Sequence, residues 1–243
     1  MKSKLLSIIL LTILLAGCAS TGNNPKDPYE GFNRSVWKFN KGLDTVILKP
    51  VAKGYKAVTP DVVETGVSNF FQNIGEVPTI LNDILQFKLG KALKDTGRFL
   101  INTTLGIGGL FDPATEFGIE HQPEDFGQTL AEWGVGDGSY LMLPFLGPST
   151  TRDAFGQGVD SVVLYNLYDE LENDSQTEIA LRIFDIVQTR AGLLSLDDQL
   201  NSAPDDYSLV RDVYLQRRQF LIHDGNPPIE DEECEFEEDC EDF

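Results

Sequence analysis

Residues 59–85 read TPDVVETGVSNFFQNIGEVPTILNDIL, and the spacing within this run sets the expectation for the rest of the chain. Val62, Val63, Gly66, Val67, Phe70, Phe71 and Ile74 recur at steps of three and four, which puts them on one wide face of a helix. Thr59 is placed to cap that helix, with Pro60 at the first helical position, where a missing N–H costs nothing. Ile80, Leu81, Ile84 and Leu85 carry the pattern on after Pro78.

The same period extends in both directions. Upstream, Phe32, Val36, Phe39, Leu43, Val46 and Ile47 form an apolar stripe expected to end at Pro50. Downstream, a helix is expected from about Leu89 to Thr103, closed by Gly106. Asp112-Pro113 and Gln122-Pro123 read as two more helix starts, the second carrying Phe126, Leu130 and Trp133. Ser149 is placed to cap a helix through about Tyr165. Ser175-x-x-Glu178 matches a capping box ahead of Ile179, Ile183, Ile186, Val187 and Leu194. A last helix is expected from about Asp205 to Ile222, with Tyr207, Val210, Tyr214 and Leu221 on one face. Alternating strand patterns are nearly absent, and neither a repeat nor a linker divides the chain. The expected fold class is all-α, a single domain of amphipathic helices.

One stretch breaks the pattern. Residues 133–148 read WGVGDGSYLMLPFLGP. Gly134, Gly136 and Gly138 oppose a helix, yet Tyr140, Leu141, Met142, Leu143, Pro144, Phe145 and Leu146 are strongly apolar, and Asp137-Gly138 is a turn dipeptide. This is expected to be a Gly-rich apolar hairpin loop. It crosses the core as a buried loop, or, if the chain is lipid-anchored, it lines or gates a lipid path or dips into the bilayer. Phe99 to Phe111, FLINTTLGIGGLF, is too short to span a bilayer and suits a buried helix or one lying in the interface.

The N-terminus addresses the chain to a membrane. Lys2 and Lys4 precede an apolar stretch from Leu5 to Leu15, the layout of a signal peptide. Leu15-Ala16-Gly17-Cys18 then resembles a bacterial lipobox, which predicts lipidation of Cys18 with an S-diacylglycerol and an N-acyl chain. Several acyl chains hold where one binds only marginally. Ala19 follows Cys18 where an Asp would resemble an inner-membrane retention signal, so the expected destination is the outer membrane, on its periplasmic face.

Composition narrows the functions. The chain has 243 residues, with 19 Lys+Arg against 39 Asp+Glu, a net charge of −20. That argues against nucleic acid as a partner, because neutralising phosphates needs clustered cations. Half of this charge sits in the tail from Glu230, EDEECEFEEDCEDF, a self-repelling block read as an appendage to the fold. Cys234 and Cys240 lie in it and can pair in an export compartment. With only two histidines, His121 and His223, a His-based catalytic or metal centre lacks parts. No G-x-S-x-G, H-E-x-x-H or G-x-x-x-x-G-K occurs, and Gly106-Ile107-Gly108-Gly109 lacks both a preceding strand and a third spaced glycine. Arg98, Arg152 and Asp153 read as structural ion pairs, and His121 as an exposed loop histidine. No cofactor, metal or enzymatic activity is expected.

Several separated strings carry a resemblance. They are Asp27-Pro28-Tyr29-Glu30-Gly31-Phe32-Asn33-Arg34 with Phe39-Asn40, Lys49-Pro50-Val51-Ala52, Ser68-Asn69-Phe70-Phe71 and Arg98-Phe99-Leu100-Ile101-Asn102-Thr103. Further along come Asp125-Phe126-Gly127-Gln128-Thr129-Leu130, Trp133-Gly134-Val135-Gly136, Arg152-Asp153, Thr189-Arg190-Ala191 and Val210-Arg211-Asp212. In this order, behind a lipobox, the chain resembles the MlaA (VacJ) family of outer-membrane phospholipid-transport lipoproteins over roughly residues 27–223. The resemblance implies a ring-like helical protein in the inner leaflet of the outer membrane, with an amphipathic channel for phospholipid. It implies a trimeric porin as neighbour and a soluble periplasmic carrier that feeds an inner-membrane ATP-driven complex. The apolar faces at Phe70-Phe71, Ile80-Leu81 and Ile84-Leu85 could then supply a belt facing acyl chains. The expected division is residues 1–17 as signal peptide, 18–27 as lipidated N-terminus and tether, 28–224 as the helical channel domain and 225–243 as the acidic tail. The competing class is a porin-associated scaffold lipoprotein that moves no lipid.

Overall fold

The computed structural model describes residues 24–171 and 175–228, with side chains left aside at 165–171 and 175–178. Cys18, Cys234, Cys240 and the capping box at Ser175 and Glu178 lie outside the described residues or side chains. The fold is helical, with one small two-stranded sheet.

Helix α1 (Glu30–Leu43) does not end at Pro50 as expected. It passes through a π-helical segment, Asp44–Leu48, straight into α2 (Lys49–Val58). Proline lacks an N–H and crowds the carbonyl four residues back. A π-turn just before it, with Lys49 N–H bonding Asp44 O, lets the helix absorb that fault without breaking.

Helix α3 (Asp61–Leu85) starts one residue later than the cap reading implied: Pro60 holds the N-cap position, and no side chain caps it. Asp61 and Glu64 in its first turn offset the positive helix end. The helix also runs through Pro78. Beside it, Thr79 donates its hydroxyl to Gly75 O (3.1 Å) and Asn82 its amide to Pro78 O (3.0 Å).

Helix α4 (Leu89–Thr104) fits its expected limits. The one-turn helix α5 (Pro113–Glu116) is capped by Asp112, whose side chain accepts the Thr115 N–H. Gln122-Pro123 does not begin a helix. The chain stays irregular up to Asp125, which caps α6 (Phe126–Glu132) by accepting the Gln128 N–H at 2.9 Å. Ser149 likewise is not a cap. It lies in a strand, and Thr150 Oγ1 accepts the Asp153 N–H (3.1 Å) at the start of α7 (Thr151–Leu171). Helix α8 (Ser175–Gly192), a 3-10 turn (Leu193–Leu196) and α9 (Asp197–Ser202) lead to α10 (Asp206–Ile222), close to its expected limits and capped by Asp205.

The strands β1 (Tyr140–Leu143) and β2 (Gly147–Thr150) pair antiparallel, with Tyr140 opposite Thr150 and Leu143 opposite Gly147. The hairpin turn is therefore Pro144-Phe145-Leu146, with positive φ at Phe145 (67°) and Gly147 (86°), and not Asp137-Gly138. That dipeptide feeds the chain into β1, and Arg152 N–H bonds Asp137 O at 3.1 Å.

The elements close a circuit. Helix α2 packs on α8, α8 on α3, α3 on α4 and α6, α6 on α7 and α10, α10 on β2, and β1 on α1, which continues into α2. Two bidentate arginines tie the continuous helix of α1 and α2 to its neighbours. Arg190 of α8 grips Asp44 (2.6 and 2.9 Å), and Arg34 of α1 grips Asp205 (2.9 and 2.5 Å). The result is a ring-like helical domain.

Candidate functional site: a polar interior and an apolar rim

The helices of this ring turn the usual arrangement around. Among the described residues, twenty polar or charged side chains are buried against eleven apolar ones, where a water-soluble core holds mainly the latter. Helix α3 shows how. Asn73, Glu76, Thr79, Asn82, Asp83 and Gln86 recur at helical spacing and are all buried, while Val62, Val63, Leu81, Ile84 and Leu85 on other faces are exposed. On α1, the π-helical segment and α2, Phe39, Val46, Ile47, Val51 and Val58 are exposed too, Val58 by 82%. The loop 105–111, expected to be buried or interfacial, presents Leu105, Ile107, Leu110 and Phe111 outward.

A buried charge is costly unless it is paired, and the cluster around Arg98 pairs its cation fully while leaving Oε2 of the partner Glu76 buried without a donor. Arg98 of α4, 2% exposed, spends its whole guanidinium. Nε donates to Glu76 (2.7 Å), Nη2 to Asp112 (2.6 Å), and Nη1 to Thr115 Oγ1 (2.8 Å) and Ile119 O (2.6 Å). Asn102 donates to the other Asp112 oxygen at 2.9 Å. Burial would raise the Asp112 carboxyl, but bonds from Thr115, Arg98 and Asn102 pull it down to about 2. His121 corrects its sequence reading. It is half-buried, with Nδ1 2.9 Å from the same Glu76 oxygen that Arg98 bonds.

A second cluster joins α6, α7 and α10. Arg218 forks onto Asp125 (2.5 and 3.0 Å) and Asp153 (3.0 and 2.9 Å), and Tyr214 donates to Asp153 at 2.9 Å. This needs α6 and α7 in near contact. Two glycines allow it: a Cβ on Gly156 would sit 2.4 Å from Gly127 N. Burial acts to raise Asp153, but the charges of Arg218 and Arg152 prevail and hold it below the ordinary range. Arg98, Arg152 and Asp153 are thus structural ion-pair members, with Arg98 in a different cluster from the other two.

Asp83 and Asp95, buried between α3 and α4, differ from these pairs. Neither Asp83 oxygen meets a donor. Burial first, and after it the facing Asp95, push the Asp83 carboxyl up to about 8. Sequence reading passed over this pair. The available signal was a polar stripe at helical spacing inside the most apolar helix of the described residues.

The Gly-rich segment splits into two populations. Tyr140 (0%) and Met142 (1%) are buried against Val36 and Tyr207, with Phe32, Trp37, Val210, Tyr214 and Leu215 around them. Leu141 and Leu143 are half-buried. Gly134, Gly136, Gly138, Pro144, Phe145 and Leu146 are exposed. Two asparagines of α1, seven residues apart, bind the free edge of β1 as a partner strand would. Asn33 donates to Tyr140 O (3.1 Å) and accepts from Met142 N–H (2.9 Å). Asn40 donates to Leu143 O (2.9 Å) and accepts from Phe145 N–H (2.9 Å). Phe145 also meets Phe39 edge to face at 5.3 Å. The segment before α1, read as a tether, is fixed at its end: Asp27 is fully buried, accepting from Asn33 (2.8 Å) and Tyr207 (2.5 Å).

An amphipathic cleft of about 390 Å³ opens between α3 and α8. It is lined by Ser68, Phe71 and Gln72 on one side and by Asp185, Gln188, Thr189, Gly192 and Leu193 on the other. No helix of the described residues is long and apolar enough to cross a membrane, and no group of three or more metal-ligating side chains occurs among them.

Comparison with known proteins gives a consistent result. The family described as MlaA lipoprotein matches residues 25–221. The protein named intermembrane phospholipid transport system lipoprotein MlaA of Escherichia coli K12 is 37% identical over 232 residues, covering 93% of this chain and 91% of that protein. Its namesake in Haemophilus influenzae is 32% identical over 235 residues and 93% of each chain. A solved structure headed "Structural basis for maintenance of bacterial outer membrane lipid asymmetry" superposes with a TM-score of 0.70 at 34% identity, over 81% of this chain and 98% of that one.

Proposed function

The chain belongs to the MlaA lipoprotein family, and on that premise we propose that it removes mislocalised phospholipid from the outer leaflet of the outer membrane. The lipid passes through an amphipathic path in the ring and goes to a soluble periplasmic carrier, which feeds an inner-membrane ATP-driven complex. The observation that carries this reading is the polarity of the ring, with charged and amide side chains buried inside and large apolar side chains outside. An exposed belt of this kind is costly in water and costs nothing against acyl chains.

The physical task is to lower one barrier. A phospholipid stranded in the wrong leaflet crosses slowly because its headgroup must enter hydrocarbon. A ring seated in the opposite leaflet, held by acyl chains on Cys18, offers polar groups for the head while the tails stay among apolar walls. No bond is made or broken, so the protein is not an enzyme. Direction comes from removal of lipid downstream. A trimeric porin is the proposed neighbour against the apolar rim.

The hairpin is the proposed gate in this path. Tyr140 and Met142 anchor it in the core, while Phe145 and Leu146 form an apolar tip held to α1 by Asn40. Photoreactive phospholipid added to the mature lipoprotein in mild detergent tests the reading. Cross-links are expected on the α3–α8 cleft and the hairpin tip. Cross-links confined to the outer apolar rim would favour the scaffold that moves no lipid.

A further inference from the structure

The α3–α8 cleft has a chemical bias of its own. None of its described lining residues is Lys, Arg or His, and Asp185 supplies the one charge. Among the described residues that carboxylate forms no ion pair. Its bond comes from Gln188 Nε2, at 2.9 Å on Oδ1. The cation five residues along α8, Arg190, is committed to Asp44 and Asp197.

The amide donors of the cleft are drawn inward as well. Gln188 Nε2 also bonds Thr189 Oγ1 (3.1 Å), and Gln72 Nε2 bonds Ser68 Oγ (3.4 Å). What remains for a ligand is mainly acceptors: the second carboxylate oxygen of Asp185 and the carbonyl oxygens of Gln188 and Gln72. Such a set matches a group with a positive charge and several N–H donors. It disfavours an anionic headgroup and gives a quaternary ammonium no hydrogen bond. Phe71 and Leu193 add apolar surface beside it, where the glycerol and first methylenes of a lipid would lie.

We propose that this cleft receives the primary ammonium of an ethanolamine-type phospholipid headgroup, with Asp185 as its counter-charge. The inference rests on the phospholipid-transport reading and adds a headgroup preference to it. Asp185 and the oxygens of Gln72 and Gln188 surround the –NH3+ group, and Ser68 and Thr189 have hydroxyls to offer the phosphate.

The test uses the mature lipoprotein in mild detergent with short-chain phosphatidylethanolamine, phosphatidylglycerol and phosphatidylcholine, and with free phosphoethanolamine. Phosphatidylethanolamine is expected to bind about tenfold more tightly than the other two lipids, the size of one charge-assisted hydrogen bond. Asp185→Asn is expected to abolish the preference and leave phosphatidylglycerol binding unchanged. Asp185→Glu keeps the charge and is expected to retain the preference. Equal wild-type affinity for all three lipids overturns the headgroup inference and leaves phospholipid transport standing. Free phosphoethanolamine binding as tightly as the lipid would make this a site for a soluble amine and overturn the inference too. Failure to bind any phospholipid removes the transport reading along with it.

Discussion

Arg98 is the residue on which the polar interior depends most, because five partner groups converge on one desolvated guanidinium or its neighbours. Removing one member of a buried pair leaves the others charged and unpaired, a loss of about 3–5 kcal/mol. Arg98→Ala is expected to lower unfolding stability by that amount in denaturant titration of the detergent-solubilised protein, whereas Val58→Ala on the exposed rim should change it little. Asp83 gives the opposite kind of prediction. Its folded carboxyl is raised to about 8 from an ordinary value near 4. The folded state therefore holds more protons than the unfolded one between those limits, and stability falls as pH rises through that window. Asp83→Asn, which imitates the protonated form, is expected to melt above the wild type at pH 9, with the gap narrowing at pH 5. A gap independent of pH would contradict the raised Asp83 carboxyl.

At the scale of elements, the hairpin is the part whose role depends on which side chains reach its edge. Asn33 is buried and satisfies two backbone groups of β1, so Asn33→Ala is expected to cost about 1–3 kcal/mol. Asn40 holds only the tip, and Asn40→Ala should speed hydrogen exchange at Phe145 with little change in melting temperature. In a background lacking Cys234 and Cys240, Met142→Cys should resist a polar thiol reagent until denaturation, and Phe145→Cys should react at once. Rapid labelling of both would place the whole hairpin in the path. Helix existence was legible here because apolar period and proline or glycine punctuation agree along most of the chain. Some ends were not. Pro50 read as a terminator because a π-turn leaves no mark in the sequence, and Ser149 has the same capping chemistry as its neighbour Thr150, which takes the role. The hairpin turn was sought at Asp137-Gly138, yet a bulky residue, Phe145, takes the positive φ. The contacts of Asn33, Asn40 and Phe39 that accompany this placement come from α1, more than a hundred residues away.

For the whole molecule, the amphipathic pattern told which residues share a face and not which face is turned inward. In water the apolar face of α3 would pack inside. The lipobox-like sequence at Cys18 was the feature that pointed to acyl chains as the surroundings instead, and the buried stripe from Asn73 to Gln86 agrees with that proposed environment. The central claim is that this ring keeps phospholipid out of the outer leaflet. It is tested most directly by counting phosphatidylethanolamine at the surface of intact cells with a membrane-impermeant amine reagent. The cells to compare lack the protein, carry it, or carry Cys18→Ala. Surface phosphatidylethanolamine is expected to rise when the protein is lost, return to its original level when the protein is restored, and stay high with the unanchored variant. A surface level that is the same in all three would contradict the account.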